Sequence, residues 1–274
     1  MMDDLGLFAG TFIRGTPPSL APSKFSSPAA WRQALRTRAG YEWKYLKTRF
    51  QDRVGRLYYF FGLTNWRWRE RPRFKSKIAR AAAVSLHQRM YKAFAKNDEA
   101  ALKNVCISGI YEQLTQRIAA RPEDMKMTWE LVSADKRPRV VSHKATKLPI
   151  PGEEDDKTAP TALRQVVYRL KTRQRLTITR RDSAASSQPK SAKGRSPKWS
   201  PDGHKIQEKK AEPLVDVHEK DVIEYVVLQQ RMLRGKMEGW KVWGFASPTT
   251  LEKIEKDRKY QDDTEAYQAA NPGM

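Results

Sequence analysis

The stretch VIEYVVLQQRMLRGKMEGWKVWGF at 222–245 decides the fold. Its two ends, VIEYVVLQQRML at 222–233 and WKVWGF at 240–245, are rich in β-branched and aromatic residues at a period of two. RGKME before Gly239 supplies a hairpin connection. The same period recurs upstream in MTWELV at 127–132, RVVSHKA at 139–145, RQVVYRLK at 164–171 and QRLTIT at 174–179. Before residue 122 the apolar steps are three and four instead. Ile78, Ala82, Leu86, Met90 and Phe94 make one helical stripe that stops at KND, and Asp98 is the predicted N-cap of a short helix carrying Leu102, Val105 and Cys106. Ser108 is the predicted cap of a further helix, with Ile110, Leu114 and Ile118 inward, ended by Arg121 and Pro122. Helices followed by a run of antiparallel strands predict an α+β fold, the helices packed on one face of a curved antiparallel sheet.

Working outward from that core over 76–260, residues 1–30 hold four prolines and few periodic apolar positions, which reads as an extended arm that needs a surface to become ordered. In the segment 31–75, Trp31, Leu35, Ala39, Trp43, Leu46, Phe50, Val54, Leu57 and Phe61 form one stripe of a long helix, expected to face a core. Arg32, Arg36, Lys44, Lys47, Arg53 and Arg56 lie off the stripe, where they can meet phosphates. The connector WRWRERPRFK at 66–75 threads Trp66, Trp68 and Phe74 between Arg67, Arg69, Arg71, Arg73 and Lys75, and Lys77 follows. Guanidinium groups bind phosphate through two hydrogen bonds, and arginine planes and aromatic rings stack on exposed bases, so the connector is a candidate RNA contact. An anionic membrane surface is the rival partner, and the YYFF run at 58–61 would suit it. Residues 182–213, rich in Ser, Lys and Pro, read as a flexible insertion between neighbouring strands. A last helix, TLEKIEKDRKY, starts at Thr250, and 261–274 is a C-terminal tail.

The chain carries 53 Lys and Arg against 31 Asp and Glu, a net charge of +22, which favours polyanionic partners. Between residues 31 and 80 there are 15 basic and 3 acidic side chains, so the excess is concentrated near the N-terminus. A single cysteine, Cys106, excludes an intramolecular disulfide and reads as a small buried hydrophobe. His87, His143, His204 and His218 lack metal-ligand spacing, the EEDD run at 153–156 lacks the spacing of a calcium loop, and no phosphate-cradling or common hydrolase motif occurs. No cofactor, metal or small-molecule substrate is expected. An enzyme would need an inward acid or base beside a tyrosine, for which His143 with Tyr168 or Tyr225 is the sketchable pair. No window approaches 18 uninterrupted apolar residues, so any membrane contact is expected to be peripheral. MMDDLGLFAGTFIRGTPP lacks both a secretory core and an Arg-rich presequence pattern; either there is no address or it has been removed.

YKAFAKNDEAALKNVCISGIYEQLTQRIAARP at 91–122 resembles the helix, turn, helix signature of a domain shared by subunit 44 of the inner-membrane translocase and mitochondrial large-subunit ribosomal protein 45, the latter related to the fungal Mba-type ribosome receptors. RQVVYRLKTRQ at 164–174 and EYVVLQQRMLRGKMEGWKVWGF at 224–245 are similar to that domain's central strands and closing hairpin. DDLGLFAGTFIRG and YEWKYLKTRFQD resemble the leader and first helix of the fungal ribosomal members. The resemblance implies a nuclear-transport-factor-two-like cone without catalysis, in the mitochondrial matrix at the inner membrane. It further implies a place near the polypeptide exit of the large ribosomal subunit, with large-subunit rRNA, neighbouring ribosomal proteins and the membrane's insertion machinery as partners. A peripheral inner-membrane import or assembly factor that never joins the ribosome is the alternative.

Overall fold

The structure, a computed structural model, describes residues 11–15, 27–63, 76–122, 124–134, 138–147, 160–180 and 214–270. The fold is α+β. In chain order the elements are α1 (Pro28–Leu63), α2 (Ser76–Lys96), α3 (Glu99–Val105), α4 (Ser108–Ala119), β1 (Met125–Ala134), β2 (Arg139–Lys147), β3 (Ala162–Arg180), β4 (Leu214–Leu233), β5 (Lys236–Met237), β6 (Lys241–Ala246) and α5 (Leu251–Ala270).

Two long strands form the spine. β3 and β4 pair antiparallel from Ala162↔Met232 to Arg180↔Leu214, so 181–213 joins two directly paired neighbours, as expected of the insertion. Segments 164–171 and 174–179 are one strand rather than two. The polar steps at Lys171 and Arg173 do not mark a turn, because β4 continues to pair across them. Along its other side β3 takes β2 first, from Lys147↔Ala162 to Arg139↔Arg169, and then β1, from Ala134↔Thr172 to Met125↔Arg180. The closing hairpin also differs in detail. Arg234 and Gly235, both at positive φ, make a two-residue turn into the short β5, and β6 then pairs with β4 further along.

Helices α2, α3 and α4 bury one face of this sheet. Ala83, Leu86 and Met90 of α2, Leu102 and Val105 of α3 and Leu114 of α4 pack with Cys106 against Val166, Tyr168, Val226, Leu228 and Val242. Asp98 caps α3 as predicted, its carboxylate accepting from the Ala101 amide at 2.9 Å. Ser108 does not cap α4. It is the first helical residue, and the preceding Ile107 instead donates its amide to the Val242 carbonyl at 2.9 Å, tying the helix start to β6. α2 ends at a left-handed Asn97, and Arg121 satisfies its last carbonyls by donating to Phe94 and Ala95.

The opposite face of the sheet is covered in part by residues 11–15. Phe12 and Ile13 are buried, Ile13 against Val167 and Val227. The Ile13 amide donates to Thr249 Oγ1 at 3.0 Å, and the Thr249 amide returns to the Ile13 carbonyl at 2.9 Å. Gly15 passes so close to Pro248 that an added Cβ would lie 2.7 Å from the proline Cβ. This part of the arm therefore finds its ordering surface within the chain.

α1 runs beside β2, and it is turned the other way from the sequence expectation. The residues it buries are Tyr41, Thr48, Asp52, Tyr59 and Leu63. Its predicted core stripe is exposed: Trp31, Leu35, Trp43, Leu46, Phe50 and Leu57 all face outward. The polar seam explains the reversal. Ser142 of β2 donates to Asp52 at 2.8 Å, Lys144 lies 3.5 Å from the same carboxylate, and Tyr41 donates to the Thr249 carbonyl at 3.4 Å.

Candidate docking surface

At about 100° per residue, Tyr41, Thr48, Asp52 and Tyr59 share one side of α1, and the apolar stripe centres nearly opposite. Trp43 is 71% exposed, Phe50 67% and Leu46 57%, so the stripe meets nothing among the described residues that would remove it from water. Arg36 and Lys47 flank the stripe on one side and Arg53 on the other; Arg32 falls within it, and all four are exposed. Lys44 and Arg56 are partly buried. Arg56 Nε donates to the Asp52 carbonyl at 3.1 Å, and burial pulls its pKa down, opposed by the Asp52 charge. The predicted basic face of the helix therefore does not stand opposite an apolar core face. It edges an apolar face that is itself outward.

The connector residues Trp66, Arg67, Trp68, Arg69, Arg71, Arg73 and Lys75 lie outside the described residues, as do the EEDD run and His204. Lys77 falls in the first turn of α2.

Behind α1 two concavities open. One, of about 250 Å³, is lined by Arg53, Arg56, Arg80, His143, Arg164 and Tyr168. It unites one of the two pairs sketched for an enzyme, but the surroundings are cationic. Burial first, then the charges of Arg164 and Arg56, pull the His143 pKa from 6.5 to about 3. Tyr225 lies on the other face of the sheet, lining a second groove with Arg139 and Arg169.

A buried acid–base cluster escaped the sequence reading altogether. His87 Nε2 lies 2.7 Å from Glu224 Oε2, and Tyr91 donates to Glu224 Oε1 at 2.5 Å. Gln174 donates to the same carboxylate at 2.7 Å and accepts from Trp129 at 3.0 Å. Burial pushes the Glu224 pKa up, but hydrogen bonds from His87, Tyr91 and Gln174 outweigh it and hold the group below the usual range. His87 is 0% exposed, so the cluster clamps α2 to the sheet. His87 and Glu224 are 137 residues apart, and only the strand register brings them together. Cys106 is buried, as expected, and burial pushes its thiol up to about 12.

These features define a basic α+β domain with an outward apolar helix face. The chain belongs to the MBA1-like protein family, whose family model matches residues 48–193. That membership agrees with the resemblance to Mba-type receptors and is consistent with association with the mitochondrial ribosome at the inner membrane. No helix among the described residues is long and apolar enough to cross a membrane. No curated protein matches the sequence. The crystal structure of the intermembrane space region of chloroplast protein ARC6 is similar at 14% identity, covering 65% of this chain and 100% of that chain with a TM-score of 0.31, and that likeness carries no argument.

Proposed function

We propose that the protein is a non-catalytic component of the mitochondrial large ribosomal subunit near the polypeptide exit. There it binds rRNA and holds the ribosome to the matrix side of the inner membrane while nascent membrane proteins insert. The observation that carries this reading is the outward stripe of α1. Six large apolar side chains edged by Arg36, Lys47 and Arg53 suit the headgroup layer of an anionic bilayer with the helix lying flat. Inserting a large apolar side chain contributes about 1.5–3 kcal/mol, and each nearby cation about 1 kcal/mol, so the stripe dominates and the charges orient it. Arg67, Arg69, Arg71 and Arg73 of the connector are assigned to rRNA, because a guanidinium fork matches phosphate where lipid is served as well by lysine.

Sedimentation of a mitochondrial lysate at high magnesium tests the assignment, with the protein expected in the large-subunit fractions. Recovery in membrane fractions free of ribosomes would instead identify an import or assembly factor. The double variant Trp43→Ser, Phe50→Ser is expected to lose flotation with cardiolipin-containing vesicles while still travelling with the large subunit.

A further inference from the structure

On the sheet face opposite α2, one cross-strand row reads Arg139 on β2, Arg169 on β3, Tyr225 on β4 and Ala246 on β6. Arg139 and Arg169 are direct antiparallel partners, which puts two like charges side by side, an arrangement that destabilises a sheet. Among the described residues neither guanidinium meets a carboxylate. The row floors a groove of about 1200 Å³ whose far wall is Arg14, Tyr45 and Arg49. Tyr45 is held between two cations: the Arg14 guanidinium lies 5.1 Å and that of Arg49 5.6 Å from its ring centre, and Arg49 also donates to its hydroxyl at 2.8 Å. Glu224 is the one acidic lining residue, and its carboxylate is taken by His87, Tyr91 and Gln174.

We infer that this groove, formed where Arg139 and Arg169 pair without an acid beneath α1, is a binding site for the phosphodiester backbone of single-stranded or looped RNA. Two guanidinium groups from adjacent strands, neither paired with a carboxylate among the described residues, converge on one phosphate, and Arg49 stands across the groove for the next, beside an Arg14 that Glu42 already pairs at 2.7 Å. Tyr225 supplies a ring face and a hydroxyl between them for a base or sugar, whereas the Tyr45 ring and hydroxyl are already engaged by Arg14 and Arg49. The position separates RNA from lipid. Tyr45 and Arg49 line the groove from the side of α1 towards the sheet, whereas the apolar stripe looks away from it, so α1 is the partition between two different partners. The inference rests on the proposed ribosomal role for the source of the RNA, but the groove's chemistry stands on its own.

The test uses the full chain and a fluorescent single-stranded oligoribonucleotide, with affinity measured against salt by anisotropy. The double variant Arg139→Gln, Arg169→Gln is expected to bind at least tenfold more weakly at moderate salt, with the salt slope reduced by roughly 1.4 units for two lost phosphate contacts. Its melting midpoint should not fall, because the like-charge pair is gone. Arg139→Lys, Arg169→Lys should restore the slope and only part of the affinity. Vesicle flotation should be unchanged in both variants, so that failure of the groove is read separately from failure of the α1 reading. An unchanged affinity and slope in the Gln variant would overturn the site. So would loss of vesicle binding with RNA binding intact, or tight binding of a polyglutamate peptide in place of RNA.

Discussion

Glu224 is one carboxylate asked to satisfy a helix and a strand at once. His87 and Tyr91 reach it from α2, Gln174 from β3, and Tyr91 stacks on Trp129 of β1 at 5.0 Å between ring centres. Glu224→Ala leaves the buried His87 and the half-buried Tyr91 without their acceptor, while Gln174 keeps Thr172, and is expected to cost about 2–3 kcal/mol in urea unfolding. Acid acts in the same direction. The folded Glu224 pKa lies below the unfolded 4.5, so its contribution is present above that value and is lost as pH falls through the folded one. His143 begins earlier. The unfolded chain takes up a proton near 6.5 and the folded chain only at about 3, so stability declines as pH drops below 6.5. Urea midpoints should fall between pH 7 and pH 5, and His143→Phe should flatten that part of the curve while Glu224→Ala leaves it in place.

At the scale of elements, α1 separates what periodicity tells from what it cannot. Steps of three and four established that Trp31, Leu35, Trp43, Leu46, Phe50 and Leu57 share a face, and they do. Periodicity does not say what covers a face, and the side that is buried is chosen by Asp52 and Tyr41, whose polar partners lie 90 and 208 residues away. The same limit hid the Arg139 and Arg169 pair, because register depends on a bulge between Val140 and Ser142 that leaves no mark in the sequence. Helices α2 to α4 were legible because most of their stripes, the Asp98 cap and the Pro122 stop agree, although Ile78, expected inward at the start of α2, is 57% exposed. An inverted α1 reverses the usual mutational ranking. Asp52→Ala, which removes the acceptor of Ser142 and one ion pair of Lys144, is expected to cost about 1–3 kcal/mol and to raise amide exchange along α1 while α2 stays protected. Phe50→Ser, outward and unpacked, should stay within about 0.5 kcal/mol of the parent.

For the whole molecule, the β3 and β4 ladder leads to the prediction that residues 181–213 can be replaced without loss of the fold. Arg180 and Leu214 are already cross-strand partners, so the segment between them closes a loop whose ends the sheet holds together. Replacing 181–213 with a four-residue turn should leave the melt cooperative. Three halvings of loop length at about 0.6 kcal/mol each predict a gain of about 2 kcal/mol, read from the urea midpoint. Circular dichroism showing loss of strand content instead would mean that the segment takes part in the fold.

The same ladder fixes when the molecule can form. Val226, Val227, Leu228 and Val242, each 0% exposed, all come from the last quarter of the sequence, and they are what α2, α3, α4 and residues 11–15 close upon. A chain elongating from its N-terminus therefore displays its helices long before the strands that cover them exist. α2 cannot complete the burial of its stripe until Val226 and Leu228 of β4 join β1 and β3, nor can Ile107 find its carbonyl until β6 has been made. The domain passes through synthesis, and through any translocation that precedes folding, as an open string of amphipathic helices, and it condenses only when the final hairpin arrives.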